Sequence, residues 1–131
     1  MQTIIVKEAG KDPEIREVET IEYEMMSELV GGYIEHITVG GGIDLWINDE
    51  GKIYNLPLNF VLGLQKEKRI LDTIQGNVFF CGHNEDESVG LTEAQTKWIM
   101  NHFDNCDLTV CVSDDGIEIV PVWDYDPTVT C

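Results

Sequence analysis

The residues that could do chemistry here are few. Cys81 and His83 sit one residue apart, with His102, Cys106 and Cys111 further along. Structural zinc sites are built on tight pairs such as Cys-x2-Cys, and the chain contains none. Cys81 and Cys111 therefore read as small core residues on strands, and no metal is expected. A cysteine or serine nucleophile needs an adjacent, oriented base. No Gly-x-Ser-x-Gly elbow occurs, and Cys106 stands one helical turn from His102 at a helix end, which reads as surface placement. Glu35 and Asp44, on neighbouring predicted strands, are the first carboxylate pair to inspect for acid–base work. With 25 acidic residues in 131, however, close pairs arise without selection for chemistry. Gly31-Gly32 and Gly40-Gly41-Gly42 lack the Lys-Ser/Thr of a phosphate loop and read as a helix stop and a hairpin connection. No catalytic residue and no cofactor is expected.

Binding chemistry is better represented. Tyr33, Trp46, Tyr54 and Asn59 could stack on and hydrogen-bond a small ligand without any motif, and with Glu35 and Asn48 they form the candidate ligand-binding set. The formal net charge is −17, from 25 acids against 8 bases. That field opposes direct nucleic-acid or membrane binding and attracts basic protein surfaces. It is also uneven. No Lys or Arg follows Lys97, whereas Lys66, Lys68 and Arg69 form a small basic island. Asp107, Asp114, Asp115, Glu118, Asp124 and Asp126 are thus the expected surface for a basic partner.

These side chains must be held by a small α+β fold. With 43% apolar residues the chain can bury a core as one unit. The β-branched run over 3–7, the turn Gly10-Lys11-Asp12-Pro13 and the alternating run over 14–19 predict a hairpin. Thr20 is the expected N-cap of an amphipathic helix over 20–30 carrying Ile21, Met25 and Leu29 on one side, stopped by Gly31-Gly32. Residues 33–39 and 43–48 read as antiparallel strands. A short strand at Ile53-Tyr54 and an irregular loop over 55–59, forced by Pro57, come next. Residues 60–74 are ambiguous between helix and loop, and 76–82 return to a buried strand. Thr92-Glu93-Ala94-Gln95 has capping-box spacing ahead of a helix lined by Trp98, Ile99, His102 and Phe103. Two strands around Asp114-Asp115-Gly116 close the chain as a hairpin. The expected fold class is α+β: a small, mostly antiparallel sheet, two short amphipathic helices and a C-terminal β-hairpin.

In order, Glu28-Leu29-Val30-Gly31-Gly32-Tyr33-Ile34-Glu35, Asn48-Asp49-Glu50-Gly51-Lys52, Leu56-Pro57-Leu58-Asn59, Gly76-Asn77-Val78-Phe79-Phe80-Cys81-Gly82 and Leu91-Thr92-Glu93-Ala94-Gln95 resemble domain-of-unknown-function family 3846. The resemblance spans roughly 1–104, with Leu-Val-Gly-Gly-Tyr-Ile-Glu its most specific piece. Leu58 stands where a second proline is expected. The expected organisation is one α+β domain over 1–104, with 105–131 an acidic hairpin extension packed on it. The resemblance implies a setting in bacteriophages and mobile elements, without an activity.

Three readings remain open. The first is a non-enzymatic accessory protein that interferes with host defence by sequestering a small signalling nucleotide or capturing a host protein. The second is an acidic nucleic-acid mimic that blocks a host DNA-binding enzyme, and the third is an unrecognised small hydrolase. The start of the chain has no basic segment followed by a long apolar run, and no apolar stretch approaches a membrane span, so the bacterial cytoplasm is the expected compartment. Free strand edges make a homodimer conceivable.

Overall fold

The computed structural model describes residues 1–64, 67–113 and 116–125. The apolar run at the start forms β1 (Gln2–Lys7), which folds back as β2 (Glu14–Val18), pairing Gln2 with Val18 and Val6 with Glu14. The helix that follows, α1 (Tyr23–Val30), is shorter than the expected 20–30. Thr20 does not cap it. Its hydroxyl donates to Glu22 Oε1 at 3.0 Å, and Glu22 is the extended residue before the first turn. At the other end Gly31 takes φ 78°, and its N–H reaches Ser27 O, the left-handed stop that glycine adopts at little cost.

Strands β3 (Ile34–Gly40) and β4 (Ile43–Asn48) pair antiparallel as expected. Ile53 and Tyr54 are not a strand. They lie in consecutive turns, closed by Tyr54 N–H to Glu50 O and Leu56 N–H to Gly51 O. The expected loop over 55–59 ends early, because Leu58 and Asn59 already belong to β5 (Leu58–Leu64). The ambiguous stretch that follows resolves into a second strand, β6 (Arg69–Gln75), antiparallel to β5. Then come β7 (Val78–Asn84), β8 (Glu87–Val89), α2 (Glu93–Asp104), β9 (Asp107–Ser113) and β10 (Gly116–Asp124).

The strands form two sheets rather than the one expected from sequence. The first runs β2-β1-β7-β4-β3, with β8 also on β7, and every pairing in it is antiparallel. The second runs β6-β5-β10-β9, with β5 and β10 parallel at Val61–Val122, Leu62–Trp123 and Gly63–Asp124. Helix α1 covers one face of the first sheet, over Ile4, Val6, Phe79 and Cys81. The opposite face presents Ile5, Leu45 and Phe80 to Ile99 of α2 and to Phe60, Leu62 and Trp123 of the second sheet. The alternation within β1 and β7 divides these residues between two cores, as the period of a strand requires.

Trp123 is the centre of the larger core. Its ring lies 4.1 Å from His102, 5.2 Å from Phe80, 5.4 Å from Phe103 and 5.6 Å from Trp98, centroid to centroid. Helix α2 is fixed over it by the capping box: Gln95 N–H donates to Thr92 Oγ1 at 3.1 Å, and Thr92 N–H donates to Gln95 Oε1 at 2.9 Å. The same Gln95 donates through Nε2 to Gly41 O at 2.8 Å, which ties the helix start to the β3–β4 turn. No helix among the described residues is long and apolar enough to cross a membrane.

Candidate interaction surface

The C-terminal hairpin is anchored by Trp123 and then runs past the layer that covers it. Across β9 and β10, Leu108 faces Pro121, Val110 faces Ile119 and Val112 faces Ile117. Directly opposed residues of an antiparallel pair share a face, and in β10 this face is the one that carries Trp123. It is the core-facing side of the second sheet, continued beyond the core. Leu108, Val110, Val112, Ile117 and Ile119 are between 58% and 77% exposed there, while Val120 on the other face is 6% exposed. Five neighbouring aliphatic side chains left open make a patch of several hundred Å², at the upper end of what monomeric proteins show.

Three of the predicted acidic residues occupy the other side of the same hairpin. Asp107, Glu118 and Asp124 alternate with the apolar row, and Glu118 stands opposite Cys111. Asp114, Asp115 and Asp126 lie outside the described residues. The reverse of the hairpin is therefore mixed, with Asp107, Glu118 and Asp124 beside Cys111, Val120 and Val122 that pack near Val61, and the open apolar row lies outside the surface expected from sequence. The missed signal was the regular spacing of Leu108, Val110 and Val112 against Ile117 and Ile119.

The predicted ligand-binding set does not form one site. Tyr33, Asn48 and Tyr54 do meet, in a groove of about 500 Å³ that also takes in Tyr23 and Glu50 and, among the described residues, contains no Lys or Arg. The three tyrosines are largely exposed, but Asn48 is buried and occupied. Its Nδ2 donates to Val30 O at 3.1 Å and its Oδ1 accepts from Glu50 N–H at 2.8 Å, so it clamps the end of α1 to the turn. Trp46 is not in this groove. It packs against His36 and Phe79 beneath α1, with its indole N–H lacking a hydrogen-bond partner among the described residues. Glu35 shares a hydrogen bond with Asp49, which together with partial burial and the Asp49 and Asp72 charges raises its carboxyl above the ordinary range. Asn59 is buried elsewhere, donating to Lys7 O and Gly76 O, each at 2.8 Å.

Glu35 does not face Asp44 as an acid–base pair, because Asp44 is buried against other groups. It accepts from Thr38 Oγ1 at 3.2 Å and lies 3.1 Å from His83 Nδ1. Asp44 also stands opposite Cys81 in the β4–β7 register, which brings a thiol, an imidazole and a carboxylate to one end of the sheet. The thiol is unsuited to attack. Cys81 is fully buried, and burial pushes it up to about 11, with Asp44 adding to the rise. Among the described residues no group of three or more His, Cys, Asp or Glu could hold a metal ion.

The sequence up to the end of α2 matches a known family. The family model described as Domain of unknown function (DUF3846) matches residues 1–104. The chain is a member of the DUF3846 family. No curated protein and no solved structure matches it. The DUF3846 match ends on the last residue of α2, so β9 and β10 follow the matched segment. Even so, β10 completes the second sheet by pairing with β5, and Trp123 completes the core beneath α2.

Proposed function

We propose that this DUF3846 protein is a non-enzymatic accessory protein of a phage or mobile element that acts by occupancy. It captures a host protein in the bacterial cytoplasm through the apolar face of the β9–β10 hairpin and so interferes with host defence. The observation that carries this reading is the row of five exposed aliphatic residues on a hairpin rooted in the core. Burying side chains already one-third covered gains about 1–2 kcal/mol each, or roughly 5–10 kcal/mol for the row. Association costs about 4–15 kcal/mol, so the apolar face needs help. The charge of the chain supplies it by favouring a partner whose aliphatic residues are flanked by Lys and Arg, with faster encounter at low salt. Two copies at −17 each repel, which favours a foreign partner over self-association.

Sequestration of a signalling nucleotide is the weaker reading. The tyrosine groove offers rings for a base, but among the described residues no cation lines it for phosphate and Glu50 does line it. Mimicry of nucleic acid asks for one continuous acidic face. Glu24 and Glu28 on α1 and Glu93 and Asp104 on α2 are all exposed, yet the two helices lie over opposite faces of the first sheet.

The test is affinity purification from host extract with the wild-type chain and with Val110→Ser/Ile119→Ser. Capture of a discrete protein by the wild type, lost in the variant and weakened by salt, is expected. Recovery of the same protein by both chains, or a wild-type dimer in sedimentation that the variant abolishes, would overturn the reading.

A further inference from the structure

A cleft of about 780 Å³ opens between the loop after β1, the start of β5, the end of α2 and β10. Its floor holds Lys7, which is 4% exposed. Lys7 Nζ donates to Asn59 Oδ1 at 2.8 Å and to Glu8 O at 3.1 Å. Asn59 is itself locked by its two donations to backbone carbonyls, so it fixes the amine rather than moving with it. Two of the three ammonium protons are thus placed, and the third has no acceptor among the described residues. No carboxylate lies within 4.0 Å of Lys7 among those residues, although a buried cation without a counter-charge is unfavourable. Burial accordingly lowers the Lys7 amine from its ordinary value, against the opposing charges of Asp12 and Cys106.

The rest of the cleft is amphipathic. Leu58, Met100, Phe103, Ile119 and Pro121 provide apolar wall, while Asp12, Asp104 and Glu118 line it without an ion pair to any described residue. Three carboxylates disfavour a phosphate dianion. One buried ammonium favours a single carboxylate, and the carboxylates favour an ammonium on the same molecule.

We propose that this cleft binds a small zwitterion of the amino-acid class, its carboxylate accepting from Lys7 Nζ, its ammonium among Asp12, Asp104 and Glu118, and its apolar body against Met100 and Phe103. The cleft borders the capture face at Ile119, but the polar groups that would hold the ligand, Lys7, Asp12, Asp104 and Glu118, lie outside the apolar row.

The test is calorimetric titration of the full chain with L-leucine and 6-aminohexanoate, which differ in charge separation. The controls are 4-methylpentanoate, 3-methylbutylamine and inorganic phosphate. At least one zwitterion is expected to bind about tenfold or more tighter than every single-charge compound and phosphate. Lys7→Met should reduce that zwitterion to the affinity of the amine, and Asp104→Asn/Glu118→Gln should weaken it several-fold while leaving 4-methylpentanoate unweakened. The second variant alters only exposed acids and decides the matter if Lys7→Met does not fold. No heat from either zwitterion at millimolar concentration, phosphate binding as tightly, or an acid variant that binds the zwitterion unchanged would overturn the proposal.

Discussion

Ile119 and Val120 are neighbours on β10 that point to opposite faces, and replacing each by alanine separates an open face from a covered one. Ile119 is 67% exposed and Val120 is 6% exposed. Both substitutions remove a β-branched side chain from the same strand, so the loss of strand propensity largely cancels in the comparison. What remains is burial. Val120 packs with Val61 and Val122, and deleting its two methyl groups should cost about 1–3 kcal/mol through lost transfer energy and the cavity left behind. Only a third of Ile119 is covered, so its truncation should cost under about 1 kcal/mol on the same scale. Urea unfolding followed by tryptophan fluorescence reads the difference as a larger fall in midpoint for Val120→Ala at unchanged slope. Equal or greater loss from Ile119→Ala would mean that the apolar face is covered in solution.

Three further outcomes follow from the same structure. Gly63 lies where β5 passes between β6 and β10, and a Cβ there would meet Val122 Cγ1 at 2.9 Å and Arg69 O at 3.1 Å. Gly63→Ala should therefore cost about 1–3 kcal/mol in the same urea assay; a neutral result would contradict the parallel β5–β10 pairing. For Glu35, whose carboxyl is raised, the folded state holds the proton more tightly than the unfolded chain. The associated stability is present below the ordinary glutamate pKa and is lost as pH rises through the elevated one. Glu35→Gln should raise the melting temperature more at pH 7 than at pH 4, and the reverse order would exclude a shared proton with Asp49. Site-resolved mass spectrometry of native protein at pH 8 should show Cys81 alkylated far more slowly than the partly exposed Cys111, since a thiol near 11 carries roughly a hundredfold less thiolate than an ordinary one. Comparable rates would place Cys81 in an accessible site.

Local signals account for most of what the sequence disclosed. The Thr92–Gln95 capping box, the Gly31 stop and the hairpins β1–β2, β3–β4 and β9–β10 are each specified within a few residues, by turn chemistry or reciprocal hydrogen bonds. The pairings that escaped are mainly nonlocal. Nothing near Val61 or Val122 announces that they will lie side by side in parallel, and the charged connection near Lys68 and Arg69 hid the β5–β6 hairpin. Ile53 and Tyr54 have strand propensity, but backbone bonds to Glu50 and from Leu56 to Gly51 turn the chain there instead.

The candidate site was legible in part for the same reason. Tyr33 and Tyr54, expected as rings able to stack on a ligand, are exposed, whereas Asn48 and Asn59 are buried amides whose partners come from distant segments. Alternation in β9 and β10 reads identically whether the apolar face is covered or open, so only the extent of the neighbouring layer shows that it overhangs. Lys7 had a quieter signal, a cation ending an apolar strand run, but its burial depends on Asn59, 52 positions away.

The overhanging apolar face is proposed to meet a foreign protein. A photo-crosslinking residue, p-benzoylphenylalanine, placed at Val112 and separately at Ile15 inside host cells would trap that encounter. Val112 belongs to the apolar row, and Ile15 is an exposed aliphatic residue on β2. A discrete crosslink to a host protein from position 112 and none from position 15 is the predicted result. Crosslinks only between copies of the chain, or equal yields from both positions, would contradict it.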